Sequence, residues 1–317
     1  MTIHLLFTGG TISMRPDKAA GGNVPTFKGE ELIKRVDGLA KISPVRVEDW
    51  GLFPAAHLDL TRLWALRERV REILADPAPP TGIVITHGTD TMEETGYLLA
   101  RTLPRAQPIV LTGSMRHADH LAWDGADNIR DAVGLAAAPE AQGRGAMVCF
   151  AGTVIDGLDV LKVDTSELES LEPAFGKQLG VVQMGRVVFT TPPQPPRFVI
   201  QPPSLTARIA MVAVTPGDDG ALLDAAFGNY HGAVVTAFGA GNVPPGAAAA
   251  ITRWLEGGYP VAIASRCRRG QVSASYAYEG GAAQLAAAGA TLAGARTPSQ
   301  AWMEMTIALS AGRPYGK

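Results

Sequence analysis

Residues 82–99, Gly82-Ile-Val-Ile-Thr-His-Gly-Thr-Asp-Thr-Met-Glu-Glu-Thr-Gly-Tyr-Leu-Leu99, constrain the fold of this chain more than any other stretch. Ile83-Val84-Ile85 is a short β-branched run and reads as a buried strand. Thr91 and Glu94 have capping-box spacing, and Met92, Leu98 and Leu99 give the following helix an apolar face. Between strand and helix lies a polar turn, Thr86-His87-Gly88-Thr89-Asp90. Open α/β sheets bind ligands at the carboxyl ends of their parallel strands, which is where such a turn falls. The N–H groups that open the helix suit a carboxylate or an oxyanion. A threonine beside an aspartate there can position a water or a nucleophile; helix capping is the plainer alternative.

A second turn of the same kind begins the chain. Leu5-Leu6-Phe7 is apolar and is followed by Thr8-Gly9-Gly10-Thr11-Ile12. The glycines, Gly10 among them, let backbone pass close to a ligand. Thr11 presents a hydroxyl, which becomes a nucleophile once a base or hydrogen-bond network activates it. A Gly-Gly turn after a strand also occurs in dinucleotide-binding folds, but the third glycine of that fingerprint is absent.

Taken together, the two turns resemble the signatures of the bacterial-type L-asparaginases, the threonine amidohydrolases of the asparaginase/glutaminase family. The matching residues are Thr8 to Ile12 and Thr86 to Thr95. Further matches follow in the family's order: Leu111-Thr-Gly-Ser-Met-Arg116, Asp124-Gly125 with Asn128, Lys162 in Val160-Leu-Lys-Val163, and Gly239-Ala-Gly-Asn242. The close, with Tyr278-Glu-Gly-Gly281 and Ala288-Gly289, is most similar to the cytoplasmic branch. The resemblance implies hydrolysis of L-asparagine to L-aspartate and ammonia, with no metal and no organic cofactor. It implies Thr11 as acyl-forming nucleophile and Thr89, Asp90 and Lys162 as a polar relay. The Lys162 ammonium would polarise Thr89, or burial would turn it into a base; Asp90 alternatively holds the substrate's α-ammonium. The order in which the two threonines act stays open. Backbone N–H groups after Gly88 and Gly113 are oxyanion candidates. Ser114 and Met115 would touch the substrate amide through backbone. Asn242 resembles a residue that reaches a neighbouring subunit's site, which implies a homodimer or homotetramer.

Two departures from the family stand out. The family's flexible loop carries a tyrosine beside the nucleophile, whereas residues 13–31 contain one aromatic, Phe27. This polar, glycine-rich stretch reads as a mobile lid. Secondly, Ala55 and Ala56 stand where a carboxylate-binding serine is expected, which leaves His57 as the nearest polar side chain. Two alternatives stand beside a plain asparaginase, the first of them motivated by these departures. One is a related hydrolase of another amide or ester; the other is a non-catalytic small-molecule sensor on the same scaffold, against which the intact Thr11, Thr89, Asp90 and Lys162 speak.

The 317 residues suffice for two domains. We expect an α/β fold: a larger N-terminal doubly wound, mostly parallel domain (1–189), a proline-rich linker (190–207) with six prolines, and a smaller C-terminal α/β domain (208–317). Among its helices, one follows Asp59 or Thr61 and one is capped by Asp124. A net charge of −2 without basic blocks disfavours nucleic acid, no apolar run is long enough for a membrane, and the opening lacks a leader pattern. A cytoplasmic location is therefore expected. Cys149 and Cys267 are too few and too far apart for a disulfide framework or zinc site, and the His117/His120 pair lacks a carboxylate–histidine partner motif.

Overall fold

The structure, a computed structural model, describes residues 2–195 and 198–316. It divides into two compact units between Val199 and Ile200. The first runs β1 (Ile3–Gly9), β2 (Met14–Asp17), β3 (Gly22–Pro25), α1 (Gly29–Ile33), α2 (Leu39–Ile42), β4 (Val45–Phe53), α3 (Leu60–Leu74), β5 (Gly82–Thr86), α4 (Met92–Thr102), β6 (Ile109–Thr112) and α5 (Gly125–Ala137). It continues with β7 (Ala146–Phe150), β8 (Thr153–Asp156), β9 (Val160–Lys162), β10 (Leu171–Pro173), β11 (Gly180–Gln183) and β12 (Arg186–Phe189).

Eight of these strands form one sheet in the order β12-β11-β8-β7-β6-β5-β1-β4. From β4 to β7 every pairing is parallel; β8, β11 and β12 extend the sheet antiparallel. Alternation along β1 feeds two cores. Ile3, Leu5 and Phe7 join Leu32, Leu39, Ile129 and Val133 from α1, α2 and α5 on one face. Leu6 joins Leu66, Val70, Met92 and Leu99 from α3 and α4 on the other. Burial on both faces explains why these strands are apolar throughout.

The second unit runs β13 (Ile209–Ala213), α6 (Ala221–Ala226), β14 (Gly232–Ala237), α7 (Pro245–Glu256), β15 (Val261–Ser265), α8 (Ala282–Ala287), β16 (Thr291–Leu292) and α9 (Pro298–Ser310). Its four strands are all parallel, in chain order. The two-domain α/β architecture read from the sequence is thus the one the chain adopts. Pro196 and Arg197 of the expected linker lie outside the described residues.

Several local readings need correction. The stretch 13–31 is not plain loop: β2 and β3 pair antiparallel, Gly21 turns between them with φ +69°, and α1 begins at Gly29. Its composition hid two strands because an exposed hairpin has no apolar alternation to reveal it. Phe27 is core, packed with Phe7 and Leu32, and lies beneath the Arg35 guanidinium at 4.2 Å. Neither Thr91 nor Asp124 caps its helix with a side chain. Asp59 does cap α3, accepting the Arg62 N–H at 2.9 Å. Strands β8 to β12 are three or four residues long, too short for a periodic pattern to announce them.

Candidate active site

The loops after β1 and β5 leave these adjacent strands in opposite directions. β1 leads by way of α1 and α2 to β4 on one side, and β5 leads through α4 to β6 on the other. The crevice between them is the sheet's topological switch point, where open α/β sheets bind ligands. Both signature turns lie in it.

The turns meet through glycine. Gly10 has φ +83°, and a Cβ there would come within 2.5 Å of the Gly88 nitrogen. A Cβ on Gly88 would come within 2.7 Å of the Ala55 Cβ. Only two bare backbones approach this closely, which makes Thr11 and Thr89 the next residues along two touching turns. The end of β4 completes the contact: Gly10 N donates to Phe53 O at 2.9 Å, and the Thr91 hydroxyl donates to Ala55 O at 3.1 Å. This bond to the turn after β4 is what occupies Thr91 in place of a cap.

Thr89, buried, is gripped from β9, a strand outside the main sheet. Lys162 Nζ donates to Thr89 Oγ1 at 2.9 Å and to Asp90 Oδ1 at 2.7 Å. The Asp90 side chain is 66% exposed and that of Lys162 19%. An ammonium only donates, so Thr89 Oγ1 accepts from it, and its own proton, donated only weakly to the Met115 sulfur, can be passed on. The Thr11 hydroxyl is half-buried and engages no other described residue. Met115 closes this side, its sulfur 3.8 Å from Thr89 Oγ1 and 3.1 Å from Ser170 Oγ.

The 113–116 turn is held from α5. The Asp124 carboxylate accepts the N–H groups of Met115 and Arg116, each at 2.9 Å, and Asn128 donates to Gly113 O at 2.9 Å. Asp124 thus organises the turn after β6 instead of its own helix. The Ser114 hydroxyl is spent on Arg116 O at 2.7 Å. Ala56 and His57 sit exposed in the single 3-10 turn after β4, while Ala55 is buried against Gly88. Asn242 belongs to the second unit, where its side-chain oxygen accepts the Ala282 N–H at 3.3 Å.

Two residues of the site escaped the sequence reading. His87 is fully buried, its Nδ1 2.7 Å from Gly88 O and its Nε2 2.9 Å from Thr95 Oγ1. Burial pushes its pKa down to about 4, so the ring is neutral at pH 7 and braces the turn. A neutral ring that donates from Nδ1 to Gly88 O leaves Nε2 as an acceptor for the Thr95 hydroxyl, which also lies 3.0 Å from Thr91 O. Glu93 Oε1 accepts the Lys162 N–H at 2.8 Å; burial pushes the carboxyl up to about 7. Glu93 lies within the Thr86 to Thr95 signature and in the first turn of α4, but neither gives it a partner. His117 and His120 meet edge to face, 5.7 Å apart. Among the described residues no group of three or more His, Cys, Asp or Glu could hold a metal ion, and no helix is long and apolar enough to cross a membrane.

Comparison with known proteins gives the family. Residues 2–195 match the family model for the asparaginase N-terminal domain, and residues 208–316 match that for the glutaminase/asparaginase C-terminal domain. The chain belongs to the asparaginase family. A probable L-asparaginase of Deinococcus radiodurans is 33% identical to this asparaginase-family chain over 318 residues, covering 98% of this chain and 93% of its own. An L-asparaginase of Bacillus licheniformis is 29% identical over 311 residues, with coverage of 97% and 95%. The crystal structure of a probable cytoplasmic L-asparaginase from Campylobacter jejuni superposes with a TM-score of 0.86 at 25% identity, covering 98% of this chain and 95% of that one.

Proposed function

We propose that this member of the asparaginase family is an L-asparaginase, hydrolysing L-asparagine to L-aspartate and ammonia. The observation that carries the reading is the contact of Lys162 Nζ with both Thr89 Oγ1 and Asp90 Oδ1, at the switch point beside Thr11. Thr11, whose hydroxyl is uncommitted, attacks the side-chain amide carbon. The C–O bond forms, and the hydroxyl proton enters a relay in which Thr89 Oγ1, held by the Lys162 ammonium, takes it and gives its own proton to the leaving nitrogen. The C–N bond then breaks, releasing ammonia and leaving an ester on Thr11. Water, deprotonated through the same relay, attacks that ester and frees aspartate and the threonine hydroxyl. N–H groups after Gly88 and Gly113 stabilise the oxyanion of each tetrahedral intermediate. Asp90 keeps the Lys162 ammonium aimed at Thr89 and is itself exposed enough to meet a substrate's α-ammonium.

The reading needs neither a metal nor an organic cofactor. It includes a homodimer or homotetramer, with Asn242 contributed towards a neighbouring subunit's site, and a cytoplasmic location like that given for the Campylobacter protein. Ammonia release from an amide panel is the test, with mass spectrometry of a quenched reaction to detect an adduct on Thr11. An inert protein across the panel would overturn it, and the sensor reading would take its place.

A further inference from the structure

Lys162 is the last residue of β9, on a short two-stranded ribbon with β10 that stands apart from the main sheet. Thr89 and Asp90 lie in the turn that opens α4. The main sheet does not fix the distance between these two pieces. A half-buried side chain bridges them instead. Glu93, one residue into α4, accepts the backbone N–H of Lys162 itself at 2.8 Å. The same lysine's ammonium, at the other end of its side chain, reaches back to Thr89 and Asp90. Backbone and side chain of Lys162 are thus tied to one helix turn, and Glu93 sets where its side chain starts.

We propose that Glu93 is the positioning residue for Lys162, and that the hold of this clip on the lysine sets turnover. The proposal deepens the asparaginase reading and rests on it.

The charges around Glu93 are few. Lys162 faces it from β9 and Glu94 adjoins it on α4, with opposite effects on its proton. β7, also packed on α4, carries no charged residue. On α3, Arg67 is engaged with Thr102 at the far end of α4. Burial therefore dominates, and it places the proton near neutrality. A carboxylate accepts an N–H bond about twice as strongly as a neutral carboxyl does. The hold on Lys162 therefore strengthens as pH rises through about 7.

Glu93→Gln keeps an acceptor oxygen but cannot ionise. It should fold and turn over asparagine at the low-pH level of the unaltered protein, with the inflection of kcat near neutrality gone. Glu93→Ala removes the clip and should lower kcat by about tenfold to a hundredfold, the scale of misplacing one catalytic group, with KM little changed. An arm independent of activity uses protein labelled with 13C at the glutamate side-chain carboxyls. One resonance should titrate near pH 7 and be missing from Glu93→Gln. A Glu93 resonance titrating in the ordinary carboxyl range, an inflection that survives in Glu93→Gln, or full kcat in Glu93→Ala would each overturn the proposal. Unaltered protein that releases no ammonia from any amide would instead defeat the asparaginase reading, while the carboxyl titration would still report on the clip.

Discussion

Lys162 Nζ donates to Thr89 Oγ1 across 2.9 Å, although 73 positions of chain separate the two residues. The bond joins a turn of the parallel sheet to a short strand outside it. Because Thr89 is buried, little water is at hand to replace the ammonium if it is lost. Lys162→Met should therefore keep the fold, unchanged by circular dichroism, and lose at least about a hundredfold in turnover. Unchanged ammonia release would return Lys162 to an ordinary half-buried lysine.

The two threonines are predicted to fail differently. Thr11→Ala and Thr89→Val should each cost about two orders of magnitude or more in kcat. Only Thr11→Ala should also abolish the covalent adduct, since Thr89 is already engaged by Lys162. An adduct mapped to Thr89 by peptide mass spectrometry would exchange the two roles.

Close approach of the turns is open to a double-mutant test. Gly88→Ala places a Cβ against that of Ala55 and should destabilise the fold and impair turnover. Ala55→Gly removes the obstacle, leaving a nearest contact of 3.3 Å, so the double variant should recover part of both losses. Strictly additive losses in denaturant melts would show that the turns do not press on one another as described.

The pH dependence of stability follows from His87 and Glu93. The pKa of His87 falls from 6.5 unfolded to about 4 folded, so its contribution is full above 6.5 and is lost as pH drops through 4. That of Glu93 rises from 4.5 to about 7, so its contribution is full below 4.5 and is lost as pH rises through 7. Each amounts to about 3 kcal/mol, and between 4.5 and 6.5 the two slopes oppose. Glu93→Gln removes one of them, so the variant's unfolding free energy should climb with pH in that window more steeply than that of the unaltered protein. Urea melts from pH 4 to 7 decide this, and parallel curves would reject it.

Substrate choice turns on the loop after β4. A buried carboxylate needs donors to replace its hydration, and a methyl supplies none. Ala55 faces Gly88, whereas Ala56 is exposed. Ala56→Ser, and not Ala55→Ser, should lower the KM for asparagine. The unaltered protein should bind asparagine weakly and lose less on amides whose carboxylate is masked. Tight asparagine binding by the unaltered protein would sink this idea.

Much of this protein was legible in one dimension because its signals are local. An apolar run, a polar turn and a helical face recur within twenty residues of one another, so the parallel sheet, the second α/β unit and the turns bearing Thr11 and Thr89 could be read directly. Composition had no means of showing the hairpin of β2 and β3, whose residues face water, or the short antiparallel strands from β8 to β12. Partner choice was equally hidden. Asp124 and Thr91 have good capping residue types, yet each bonds to a turn that the chain reaches only after folding. Glu93 looked like an ordinary acidic residue of a first helical turn until β9 came to rest against it, 69 positions on. Residue type and spacing determine which elements form. Which donor meets which acceptor, and how far burial moves a proton, is decided only when the sheet brings distant turns to one edge and excludes the water that would otherwise have satisfied them.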